Sequence, residues 1–332
     1  MTRVRPIDIH AHFFPDAFLR LIGEEGERMN ARVDRSDARG PVLQIGATRT
    51  APLRAGFIDI DHRLKEMKRQ GVGMHALSLT GPMVHWAPPE FGARLARAFN
   101  DAVAEAHTAH PDRFVGLATL PIQDPKLAVN EIDRIARLPG MRGVYLPTNV
   151  QGRELSHPDF FPLYERIHEL GLPVFLHPVV VIGADRFHAF YLSNLLGHPF
   201  DNTIAAANLI FGGVLDRFPK LTVCLPHGGG AFPYLVGRLD RGWKMRAECK
   251  HLKRPPSAYL RRFTYDTITH SAESLRFLIK RVGADRVLLG SDYCFDMGYE
   301  RPVEIVTKLA GLAKADQARI LGGNAQRMLH LT

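Results

Sequence analysis

Cysteine is scarce in this chain. The 332 residues hold only Cys224, Cys249 and Cys294, widely spaced and with no Cys-x-x-Cys pair. That excludes a disulfide framework and points to free thiols in a reducing compartment. No run approaches the roughly 20 apolar residues that a membrane span requires. The opening stretch Met1 to Pro6 leads straight into a strand pattern without an apolar leader core, so a cytoplasmic home is expected. Low-complexity tracts and fixed-period repeats are missing. So is a Gly-x-Gly-x-x-Gly turn, which argues against a doubly wound dinucleotide-binding sheet and against an organic cofactor of that kind. Lys and Arg outnumber Asp and Glu by 43 to 34, a net charge of +9. No dense basic block exists, and the groupings Arg241 to Arg246, Lys250 to Arg254 and Arg261-Arg262 read as solvated faces. Nucleic acid and membrane are therefore not expected as partners, while a small anionic substrate fits the charge.

What the chain does have is alternation. Eight short β-rich runs are visible: Pro6 to His10, Met74 to Leu79, Phe114 to Thr119, Gly143 to Pro147, Pro173 to His177, Leu221 to Leu225, Phe263 to Asp266 and Arg286 to Gly290. Amphipathic stretches lie between them, among them Phe91 to His110, Pro125 to Arg137, Phe160 to Leu170, Ser271 to Val282 and Pro302 to Ala313. Strand-then-helix repetition implies parallel pairing through right-handed crossovers, and eight units close into a single (β/α)8 TIM barrel spanning residues 1–332. Residues 13–57 do not fit one helix and read as a small insertion after the first strand, with a β-element over the barrel mouth. Pro199 to Leu215 is expected as the helix before the sixth strand, and the tail from Leu312 as helices closing the barrel bottom.

Barrels of this kind carry their chemistry where the strands end. The first strand ends Asp8-Ile9-His10-Ala11-His12, and residues two apart in a strand share a face, so His10 and His12 can project together. The fifth ends at His177, the sixth leads into His227-Gly228-Gly229-Gly230, and the eighth into Ser291-Asp292. Histidines and a carboxylate gathered on one mouth are the donor set of a divalent-metal site.

These residues carry a resemblance. The runs Asp8-Ile-His-Ala-His-Phe-Phe-Pro15, Leu176-His-Pro178, Leu209 to Pro219, His227 to Arg238 and Leu288 to Tyr293 are similar to the amidohydrolase superfamily, in particular its decarboxylase branch, nearly end to end. The resemblance implies a metal held by His10, His12, His177 and Asp292, with His227 as the acid/base. The fourth strand ends Tyr145-Leu146-Pro147 with no lysine to carboxylate, which implies one metal ion: zinc first, manganese second, with no organic cofactor. It implies a homodimer in which Arg238 reaches the neighbouring site to bind a carboxylate. A second carboxylate-binding arginine falls at Arg49 or Arg54, and an aromatic lid residue at Phe190 or Tyr191. The expected activity is non-oxidative decarboxylation of a carboxylated muconate semialdehyde or aromatic acid. A hydrolase or hydratase could use the same site, and a non-catalytic scaffold fits least.

Overall fold

The computed structural model describes residues 5–331. Eight parallel strands form the core: β1 (Ile7–His12), β2 (Met74–Ser78), β3 (Phe114–Thr119), β4 (Met141–Pro147), β5 (Val174–His177), β6 (Val223–Leu225), β7 (Phe263–Asp266) and β8 (Val287–Leu288). Each pairs with its successor in the sequence. The ring closes between its last and first members. Ile9 N–H donates to Leu289 C=O at 3.0 Å, and His12 N–H donates to Tyr293 C=O at 2.7 Å. The chain is a (β/α)8 barrel.

The strand-helix alternation places the helices outside: α1 (Asp16–Glu25), α2 (Ile60–Gln70), α3 (Pro89–Ala109), α4 (Pro125–Ile135), α5 (Phe161–Leu170), α6 (His198–Phe211), α7 (Phe232–Met245) and α8 (Ala272–Val282). Capping explains several of their starts. Asp59, Asp124 and Ser271 accept backbone N–H bonds at the heads of α2, α4 and α8. Among the described residues, no helix is long and apolar enough to cross a membrane.

Some boundaries differ from the sequence pattern, each for a local reason. β1 runs to His12 instead of His10, because the loop after β8 supplies the Tyr293 carbonyl as a partner. β8 is short because the chain leaves the strand to bring Ser291 under Asp8, whose carboxylate takes the Ser291 N–H at 3.1 Å. The helix from Pro302 stops at Thr307, and Gly311 then turns the chain at φ +80°. Residues 13–57 hold α1 and a three-stranded antiparallel sheet of Ala31–Asp34, Val42–Ile45 and Thr48–Arg49, with Val42–Ile45 in the middle.

The tail packs against the closing seam. Leu289 N–H donates to Ile320 C=O, and the buried Asn324 amide donates to the carbonyls of Ala284 and Val287, both at 2.7 Å. Removing that amide leaves two carbonyls without partners beside β8. Asn324→Ala is therefore expected to lower stability by about 1–3 kcal/mol, read as a lower urea midpoint with unchanged slope.

Candidate metal centre

The site is assembled by strand ends that the alternation brings to one mouth. His10 and His12 point together because they are two apart, although the β1–β2 register shifts between Asp8 and Ala11. His177 closes β5, and Asp292 follows β8 at φ +60°, a left-handed conformation uncommon outside glycine. One donor atom from each of His10, His12, His177 and Asp292 lies within 4.8 Å of the others, and all four residues are buried.

Hydrogen bonds decide which atoms carry lone pairs. His10 Nδ1 meets the Asp266 carboxylate at 2.9 Å, so the proton sits there and Nε2 is bare. His12 Nδ1 meets Ser78 Oγ at 3.2 Å, and Ser78 directs its own proton to the Ala11 carbonyl. His12 Nε2 is therefore bare as well. These two nitrogens lie 3.1 Å apart, with Asp292 Oδ1 3.0 Å from one and 3.4 Å from the other. In these tautomers the lone pairs of three atoms converge on one point, as ligands of a single cation do. Buried His177 has no partner for Nδ1 among the described residues. Burial also drives His12 down to about 4 and His177 well below its ordinary value. At Asp292 burial works the other way, but the surrounding His12, His10 and His227 outweigh it and hold the carboxyl down at about 2. The donor set fits a divalent ion.

Asp266 ties this group to its neighbour. Its second role is to accept the N–H of His227 at 3.0 Å on Oδ2, and those of Gly228 at 2.8 Å and Ile268 at 3.1 Å on Oδ1. His227 itself sits at φ +53°, its ring 5.4 Å from that of His10. Its Nδ1 accepts from the Asn202 amide at 3.0 Å, which leaves the ring proton on Nε2. Burial and the proximity of His10 push its pKa down to about 3, so the ring is neutral. His227 and Asp292 line a cavity of about 620 Å³ together with His198 and His270.

A buried arginine braces the centre from behind. Arg63 on α2 donates to the carbonyls of His12 and Gly56, and its guanidinium lies 4.8 Å from the Tyr293 ring centre. It joins the strand that carries two of the histidines to the end of the segment of residues 13–57.

The expected site residues fall into two groups. His10, His12, His177, His227 and Asp292 come together. The others lie outside the cavity wall. Arg49 is exposed and paired with Asp34 at 3.2 Å, Arg54 is exposed at the head of a short helix, and Arg238 is exposed on α7. Phe190 and Tyr191 are 86% and 54% exposed, both at positive φ. Sequence reasoning passed over Asp266, Asn202, His198 and Arg63. The rule that selected the other strand ends would have selected Asp266, the last residue of β7. Asn194, His198 and Asn202 form a polar stripe at helical spacing in an apolar stretch, which is also visible in the sequence.

The amidohydrolase family profile matches residues 7–331. The chain belongs to the amidohydrolase family. This amidohydrolase is 32% identical over 328 residues to a 2-amino-3-carboxymuconate-6-semialdehyde decarboxylase of Dictyostelium discoideum, covering 98% of the chain and 91% of that protein. It is 29% identical to a gamma-resorcylate decarboxylase of Polaromonas sp., over 84% of the chain and 90% of the relative. Its fold superposes on the 5-carboxyvanillate decarboxylase of Sphingomonas paucimobilis with a TM-score of 0.85 at 29% identity, covering 99% and 100% of the two chains.

Asp266 sets the tautomer of His10, so its charge bears on metal binding. Asp266→Asn places an N–H where the carboxylate accepted one. Metal affinity of the amidohydrolase is expected to fall by about 10–100-fold, measured by chelator competition. An unchanged affinity would mean that His10 needs no carboxylate behind it.

Proposed function

We propose that this amidohydrolase is a metal-dependent, non-oxidative decarboxylase of a small unsaturated acid, either a carboxylated muconate semialdehyde or a carboxylated aromatic acid. The observation that carries the reading is the 32% identity, over 98% of the chain, to a muconate semialdehyde decarboxylase. The His/Asp donor group at the barrel mouth agrees with it. We assign His10, His12, His177 and Asp292 as the ligands of one divalent ion, zinc first and manganese second. Such an ion, when bound, supplies positive charge that polarises an oxygen and offsets charge left on the substrate.

The chain's own residues do the rest. When the carboxyl group departs as CO2, the electron pair of the broken bond stays on the substrate carbon, which must take a proton. We assign that transfer to His227, which takes up a proton from solvent or substrate and returns to its neutral form as it delivers the proton to the carbon. Asp266 holds the His227 backbone in register with His10. We further assign the enzyme to the cytoplasm as a homodimer, with residues 13–57 over the mouth. In that assembly Arg238 binds a substrate carboxylate in the neighbouring site, Arg49 or Arg54 binds another, and Phe190 or Tyr191 serves as the aromatic lid. A guanidinium suits a carboxylate because its fork matches both oxygens.

The test is CO2 release from freshly made 2-amino-3-carboxymuconate 6-semialdehyde and from 2,6-dihydroxybenzoate, with zinc- and manganese-loaded protein. Turnover of at least one acid is expected, lost on chelation and restored by metal. His227→Ala should cut kcat by about 10²–10⁴-fold while the protein keeps its metal. Solvent oxygen entering the product without CO2 would move the chemistry to hydrolysis or hydration.

Sharing of the site is checked separately by mixing. Arg238→Ala and His227→Ala proteins, each inactive alone, should regain activity when their subunits exchange, since one site of the mixed dimer is then intact. No recovery despite exchange would leave Arg238 without a role across the interface.

A further inference from the structure

His198 has no part in the chemistry above, yet the fold builds a place for it. It opens α6 and lines the cavity beside His227 and Asp292. Its ring lies nearly parallel to that of His227, 5.9 Å between centres at 24°, and 6.0 Å from that of His177. Two features hold it there. The first is Gly230, at φ +60°, where a Cβ would lie 2.0 Å from the Pro199 carbonyl oxygen. Only glycine lets the loop that carries His227 touch the start of α6. Thr203, one turn along α6, then accepts the Ala231 N–H at 2.9 Å and locks the two together.

The second feature is the stripe on α6 and the turn before it. Asn194, in the π-turn Ser193–Gly197 that leads into α6, lies beside His198, and Asn202 stands one α-helical turn after His198 on the same face. Asn202 donates to Nδ1 of His227 at 3.0 Å, and Asn194 lies with its amide nitrogen 3.4 Å from Nδ1 of His198. The two imidazoles are thus treated alike: each has an asparagine amide on Nδ1, which leaves the ring proton on Nε2, and both residues line the cavity. Among the described residues, Asn194 is the only hydrogen-bond partner of the His198 side chain.

We propose that His198 is a substrate-binding, specificity-determining residue that donates a hydrogen bond from Nε2 to an oxygen substituent of the acid, such as a hydroxyl, oxo or second carboxylate oxygen, next to the carbon that His227 protonates. The inference rests on the decarboxylase reading for the identity of the substrate. The contact itself is tested by binding alone. An enzyme built this way prefers acids with that oxygen, because an analogue without it covers the half-buried donor and leaves it unmatched.

The experiment is titration calorimetry of manganese-loaded protein with 2,6-dihydroxybenzoate and with benzoate. It compares the wild type with His198→Phe, which keeps the stacked ring, and His198→Gln, which keeps an N–H donor. In His198→Phe, affinity for the dihydroxy acid should fall about tenfold, the worth of one hydrogen bond, with benzoate binding and manganese content unchanged. His198→Gln should recover part of the loss. Equal loss for both acids, no loss for either, or a wild type that does not favour the dihydroxy acid would overturn the proposal. Selectivity that follows His198 in a protein releasing no CO2 from any acid would support the contact and defeat the decarboxylase reading instead.

Discussion

The carboxylate of Asp266 is the constraint on which the rest of the centre depends. Fully buried, it has no water to solvate it, and a buried charge of this kind persists only when donors surround it. Four do: the His10 imidazole and the N–H groups of His227, Gly228 and Ile268. One side chain therefore sets the tautomer of His10 and the backbone position of His227. The left-handed conformation of His227, followed by three glycines that are all at positive φ, follows from the same demand, because the loop must curl so that successive N–H groups converge on one carboxylate.

A second level of support comes from α6. Its first two turns reach the site only because Gly230 lacks a side chain, and they bring Asn202 to His227 and His198 to the cavity. Arg63 plays the comparable part at β1, where its guanidinium joins the His12 carbonyl to the end of the segment that precedes α2. The first-strand histidines are thus held from both sides, by Asp266 and Ser78 on their ring nitrogens and by Arg63 on the main chain. Such bracing suits a group that must keep bare nitrogens close together.

Much of the architecture was legible in the chain. Strand and helix periods differ, 2 against 3.6, so eight apolar runs and the stretches between them announce themselves without any knowledge of contacts. The strand-end rule then selected His10, His12, His177, His227 and Asp292. The same rule held Asp266, the last residue of its run, but that residue was not singled out, and three of its four partners are backbone N–H groups, which leave no mark in a sequence. Arg63 carries no distinguishing mark in the sequence. Only its burial distinguishes it from Arg69 six residues on, which is largely exposed and paired with Glu66.

The sequence by itself determined the number and order of the strands, the barrel they close into, and the donor types at its mouth, because periodicity and strand-end position are local properties of the chain. Only the tertiary structure decided which nitrogens are bare, which histidine faces which asparagine, and that Arg49 spends its charge on Asp34 while Arg238 and Tyr191 face outward. Those outcomes depend on atoms brought together from as far apart as His10 and Asp266, or His12 and Asp292. A hydrogen bond has a direction and a length of about 3 Å. Neither exists until the strands have closed.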